Sequence, residues 1–138
     1  TNNRKITKMI EKFHAEHPSV SKIFPSLGQL RFLSTLKFID GIVGNSSSGL
    51  TEAPSFKIGT INLGDRQTGR LKAKSVIDSN FEKKKILKAI KILYSKSFQR
   101  NLSTATNPYG SPGASKKILR TIKKFPLENA IKKKFYDL

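Results

Sequence analysis

Two short apolar runs, Ile39 to Val43 and Thr60 to Leu63, constrain the fold of this chain more than anything else in it. Their near-continuous apolar character suits strands buried on both faces of a parallel sheet. Around them lie stretches with helical spacing. Ile6, Met9, Ile10 and Phe13 make an i, i+3, i+4, i+7 stripe that predicts a helix from Asn3 to His17, closed by Pro18. Leu30, Leu33 and Leu36 mark a second helix, with Phe32 on a neighbouring face, and Phe81, Ile86, Ile90 and Leu93 mark a third, capped by Asn80. Ile118, Leu119 and Ile122 mark a fourth from Ser115, and Leu127 to Tyr136 reads as a last one. Val20 to Phe24 and Ser75 to Asp78 read as short strands. Strands alternating with helices imply an α/β domain, a Rossmann-like parallel sheet with flanking helices.

The first apolar run ends in Gly44-Asn45-Ser46-Ser47-Ser48-Gly49 and then enters a helix start at Leu50-Thr51-Glu52. A strand that ends in small residues and turns into a helix leaves free N–H groups in a concave bend, where the helix dipole favours an anion. Such a bend is a phosphate seat, with Ser46 and Ser47 as its candidates; a plain turn is the other reading. Glu52 would repel a phosphate and suits a diol. Pro54 lies beyond the first turn of this helix, which should therefore be short or kinked. The second apolar run leads into Gly64-Asp65-Arg66-Gln67-Thr68-Gly69-Arg70, where Arg66 and Arg70 offer guanidinium forks that match phosphate oxygens. Arg70 is the weaker candidate, since it could instead brace the loop. In open parallel sheets ligands bind at the carboxyl edge, so the two loops should converge.

At 138 residues the chain suffices for one domain with a core. It has no cysteine, which excludes disulfides, thiolate metal sites and thiol nucleophiles from this segment. His14 and His17 are too few for a metal site and read as surface residues near a helix end. Nothing in the sequence calls for a cofactor. No apolar run approaches a membrane span, and a soluble, cytoplasmic protein is expected. The net charge is +18, and residues 81–138 hold 15 of the 27 basic residues but 3 of the 9 acidic ones. The excess is lysine recurring on helical stretches. Solvated helix faces account for that better than nucleic-acid contacts, which favour arginine and exposed aromatics.

The runs Gly44 to Pro54 and Ile61 to Arg70, with Asn107-Pro108-Tyr109-Gly110 and Ser26 to Leu33, resemble the C-terminal half of UDP-N-acetylglucosamine 2-epimerases. The triple serine and the Gly-Asp-Arg-Gln-x-Gly-Arg run resemble the hydrolysing class. The resemblance implies one Rossmann-like half of a glycosyltransferase-B architecture, a fragment that starts after the first strand of the second domain. It implies UDP and a UDP-linked amino sugar as ligands and the protein's own N-terminal domain as partner, with helices from about residue 115 packing toward that domain and homo-oligomers possible. Ser26 would lie at the nucleobase turn, although an ordinary helix cap explains it equally well. The catalytic base would come mainly from the N-terminal domain. Two stretches depart from the family: Lys57 and Gly59 stand where it has glycine and proline, and Ser111-Pro112-Gly113 where it continues with aspartate and glycine. The polar stretch Asn101 to Gly113 reads as one loop.

Overall fold

The computed structural model describes residues 3–126. Residues up to Asp40 form one compact unit, and the chain from Gly41 onward forms a second.

The first unit holds α1 (Asn3–Glu16) and α2 (Gly28–Thr35). The apolar stripe of α1 is present but exposed, with Met9 keeping 65% of its surface. Between the helices, Val20 to Phe24 forms no strand, contrary to expectation. A strand exists only through the ladder a neighbour supplies, and here local bonds take the chain round a turn instead. Val20 N–H donates to His17 O, and the Ser21 hydroxyl donates to His17 O at 2.6 Å. That leaves the Ser21 hydroxyl to accept from His14 Nδ1 at 2.9 Å, so His14 is half-buried rather than a surface residue.

In the second unit, three strands run parallel in chain order: β1 (Gly41–Gly44), β2 (Gly59–Leu63) and β3 (Val76–Ser79). Between β1 and β2 lie α3 (Ser48–Thr51) and a 3₁₀ turn (Ala53–Phe56), and after β3 come α4 (Lys83–Leu93), α5 (Lys96–Thr104) and α6 (Ala114–Lys124). The break expected at Pro54 falls between α3 and the 3₁₀ turn, where proline occupies an N-terminal position that loses no hydrogen bond. Lys57 ends that turn at φ 58° and ψ 34°, the left-handed conformation that glycine adopts without strain.

The period-2 alternation of β2 divides the sheet into two faces. Ile61 points to one, where it meets Ala89 and Leu93 of α4 and Phe98 and Leu102 of α5. Gly59 and its register partner Gly41 lie beneath the same helices. A Cβ on Gly59 would come within 2.2 Å of Leu93, and one on Gly41 within 2.9 Å, so bare backbone is what lets α4 sit this close. Thr60 and Asn62, almost fully buried, take the other face with α3.

Two expectations about the later helices need correction. α4 begins at Lys83, so Phe81 lies before it and is 70% exposed instead of pointing inward. Glu82, not Asn80, takes the cap position, and Asn80 accepts from Glu82 N–H at 3.1 Å just ahead of the helix. The Asn101–Gly113 loop is shorter than expected, because α5 runs on to Thr104, anchored by Phe98 and Leu102. Ser95 caps that helix, accepting from Phe98 N–H at 3.3 Å. Ile118 and Ile122 of α6 are exposed, and the helix expected over Leu127 to Tyr136 lies outside the described residues.

Candidate functional site

Because β1 and β2 are parallel neighbours, the serine loop after Gly44 and the arginine loop after Leu63 leave the sheet at the same edge. The convergence read from the sequence is present, and a single side chain fastens it. Gln67, 3% exposed, donates from Nε2 to the carbonyl of Asn45 at 2.7 Å.

The hydrogen bonds of the serine loop turn two amides outward. Asn45 O is held by Gln67, Ser46 O accepts from Gly49 N–H at 3.3 Å, and Ser47 O accepts from Leu50 and Thr51 N–H at 2.8 and 2.9 Å. In a trans peptide the N–H points opposite to the C=O of the same unit. The amides of Ser46 and Ser47 therefore point away from the groups that hold the preceding carbonyls. Among the described residues neither amide has a protein acceptor. Ser48 N–H makes a long bond, 3.4 Å, to Ser46 Oγ. The mouth is open: Ser46 is exposed, Ser47 half-buried, and a Cβ on Gly44 would meet nothing within 4 Å. One part of the expectation changes. α3 is a single turn of four residues, so a macrodipole contributes little and the free amides carry the site's positive character.

Glu52 follows α3 and is half-buried. The Thr51 hydroxyl sits between Ser47 O and Glu52 Oε2, and its one proton serves one of them at a time. Arg66 and Arg70 are exposed, and among the described residues their guanidinium groups make no ion pair or hydrogen bond. The loop between them is folded by Thr68 N–H to Asp65 O at 2.8 Å and Arg70 N–H to Gln67 O at 3.3 Å. Ser26 belongs to the first unit, where its hydroxyl accepts from Gly28 N–H at 3.2 Å; the cap position of α2 falls on Leu27, so Ser26 is not the helix cap that the sequence also allowed. Gly28 is at φ +64°, which requires glycine at that turn.

Two supports were not assigned from sequence. Gln67 is one. Asn107 is the other: its Nδ2 donates to Thr51 O and Ser55 Oγ, both at 2.8 Å, and its Oδ1 accepts from Tyr109 N–H at 2.9 Å. The Tyr109 hydroxyl donates to Leu71 O at 3.1 Å, so Asn107-Pro108-Tyr109-Gly110 braces the end of α3 and the chain just past Arg70. The available signal was the motif itself, which the resemblance picked out without giving it a role.

Behind the arginine loop, Lys72 Nζ reaches both oxygens of Asp78 at 2.8 Å, and Asn62 Nδ2 donates to Asp78 Oδ1 at 2.8 Å. Burial tends to raise the Asp78 pKa, but the Lys72 and Asn62 hydrogen bonds and the Lys72 charge outweigh it, and the carboxyl lies below its ordinary value. Among the described residues no group of three or more metal-ligating side chains forms, and no helix is long and apolar enough to cross a membrane.

Comparison with known proteins gives the same frame. The polysialic acid biosynthesis protein P7 of Escherichia coli is 43% identical over 108 residues, 78% of this chain and 28% of that protein. The GDP/UDP-N,N'-diacetylbacillosamine 2-epimerase (hydrolyzing) of Campylobacter jejuni is 37% identical over 134 residues, 96% of this chain and 34% of that one. A crystal structure of a Listeria monocytogenes protein described as a UDP-N-acetylglucosamine 2-epimerase superposes with a TM-score of 0.68 at 21% identity, over 93% of this chain and 35% of that one, which speaks to the fold. The chain thus spans about a third of the length of the proteins it matches. With residues 1–123 also matching the family profile, the chain belongs to the UDP-N-acetylglucosamine 2-epimerase family.

Proposed function

We propose that this chain supplies the UDP-binding half of a hydrolysing 2-epimerase that converts UDP-N-acetylglucosamine and water into N-acetylmannosamine and UDP, in the cytoplasm and toward sialic-acid-type sugars. The observation that carries this reading is the pair of outward, partnerless amides at Ser46 and Ser47, fastened through Gln67 to the loop of Arg66. Ser46 and Ser47 hold the diphosphate through N–H and hydroxyl groups, and Glu52 accepts from the ribose hydroxyls. Arg66 neutralises phosphate charge, while Arg70 is a second cation or a brace.

The reaction begins with elimination. A base takes the proton from the second sugar carbon, the bond from the first carbon to the diphosphate oxygen breaks, and UDP leaves with that electron pair. Water then adds across the double bond, its hydroxyl to the first carbon and a proton to the second, giving the epimeric configuration. Charge grows on the leaving diphosphate, so donors already aimed at it act most strongly in the transition state. No residue of this chain is assigned as the base; that role falls to the N-terminal domain, against which the exposed α6 face packs. The 138 residues alone should bind UDP weakly and turn nothing over.

A second reading has an observation of its own. The Campylobacter relative aligns over 96% of this chain, which favours a UDP-linked diacetamido trideoxy sugar as the substrate. Incubating the whole protein with each UDP-sugar and identifying the products separates the two, and free UDP after turnover marks the hydrolysing class. An epimerised sugar still joined to UDP would overturn the hydrolysing assignment.

A further inference from the structure

We propose that Gln67 is the positioning residue that aims the Ser46 amide at the diphosphate, an inference that rests on the UDP-binding reading above. Asn45 C=O and Ser46 N–H belong to one rigid peptide unit and point in opposite directions. A grip on the carbonyl therefore sets the direction of the amide. The gripping donor, Gln67 Nε2, is 2.7 Å from Asn45 O, and its side chain is 97% buried, so it cannot swing away with the loop. The amide on the far side of that peptide has no protein acceptor among the described residues, and Ser46 is exposed.

The other half of the same side chain argues against a purely structural role. Gln67 Oε1 is buried and accepts from no donor among the described residues. An unsatisfied buried acceptor costs stability. A thioether of similar length would fill the space without that cost, and Asn45, an exposed residue, has solvent beside it. Gln67 thus keeps a polar atom that the core does not reward, together with a donor that the ligand loop uses. Its place in the chain fits, since the residue beside it is Arg66. One short turn then carries both the phosphate's cation and the group that orients the phosphate's amide.

The test uses the whole protein that carries these residues, with UDP as the titrant and thermal unfolding measured in parallel. Gln67→Met removes the donor and keeps the volume. The expected result is an unfolding temperature equal to or above that of the unchanged protein and a UDP affinity lower on the order of ten- to a hundredfold. Gln67→Glu gives an independent readout. Burial raises the pKa of the introduced carboxyl, and only its protonated form can donate to Asn45 O. Its affinity relative to the unchanged protein, measured at the same pH, should be poor near pH 8 and recover toward pH 5. Should Gln67→Met not fold, the pH ratio of Gln67→Glu decides. UDP affinity unchanged in Gln67→Met, or a flat pH ratio in Gln67→Glu, overturns the role while leaving the ligand assignment standing. Absence of UDP binding in the unchanged protein overturns both.

Discussion

Thr60 and Gly49 hold the serine loop against the sheet from both sides of one contact: the Thr60 hydroxyl donates to Gly49 O at 3.0 Å, and a Cβ on Gly49 would lie 2.4 Å from Thr60 Cγ2. Both residues are buried, so neither can move aside cheaply. Gly49→Ala should lift α3 from β2 and destabilise the domain by about 1–3 kcal/mol, the usual cost of overpacking. Denaturant unfolding measures that, and Gly49→Ala with Thr60→Ser, which removes the offending methyl, should regain much of the loss.

Arg66 and Glu52 are set up differently. Neither belongs to the core, so changing them should leave the fold intact. Arg66→Ala and Glu52→Gln should each weaken UDP binding by about 1–3 kcal/mol, the range for hydrogen bonds to charged groups. Titration calorimetry on the whole protein reads this directly, and binding unchanged in both variants would remove the site assignment.

Asn107→Ala removes two donor contacts of 2.8 Å, to Thr51 O and Ser55 Oγ. The expected loss is about 1–2 kcal/mol of stability, concentrated in the segment that ends with Glu52. Amide hydrogen exchange should show faster opening there than in β2. Uniform protection would mean that Asn107 is no brace.

The Lys72–Asp78 pair makes stability depend on acid. The folded pKa of Asp78 lies below its ordinary value of 3.8, so the pair stabilises fully above that value and its contribution disappears as pH falls through the folded pKa. The Asp78 side chain is 56% exposed and well screened, which limits the effect to under about 1 kcal/mol. Urea midpoints of the unchanged protein and Asp78→Asn should diverge above pH 5 and converge toward pH 3. A constant difference across that span would show that the pair is not the source.

The periodicity of the chain gave away the parallel strands and most helices, because burial on one stripe or both faces writes itself into local spacing. Val20 to Phe24 shows where this fails: Val20, Ile23 and Phe24 are apolar, but a strand is a relation between two segments and no local pattern supplies the second. The site divides the same way. Ser46, Ser47, Glu52, Arg66 and Arg70 stand in short contiguous runs at strand ends, where composition alone draws notice. Gln67 and Asn107 act across 22 and 56 residues, through polar atoms whose partners are backbone carbonyls and a serine hydroxyl, and such partners have no spacing to recognise. Phe81 was assigned inward because its spacing fits the stripe of α4, yet the helix begins two residues later.

The naked backbone of Gly59 beneath Leu93 ties the histories of those two sites together. A methyl at Gly59 would stand 2.2 Å from Leu93 Cδ1 and 2.9 Å from Phe98 Cε1, so a lineage that acquires one must re-seat or trim that leucine and make room beside the phenylalanine. Substitutions at the two positions should therefore be inherited as pairs, and the intermediate carrying just one of them should be the form that natural variation leaves out.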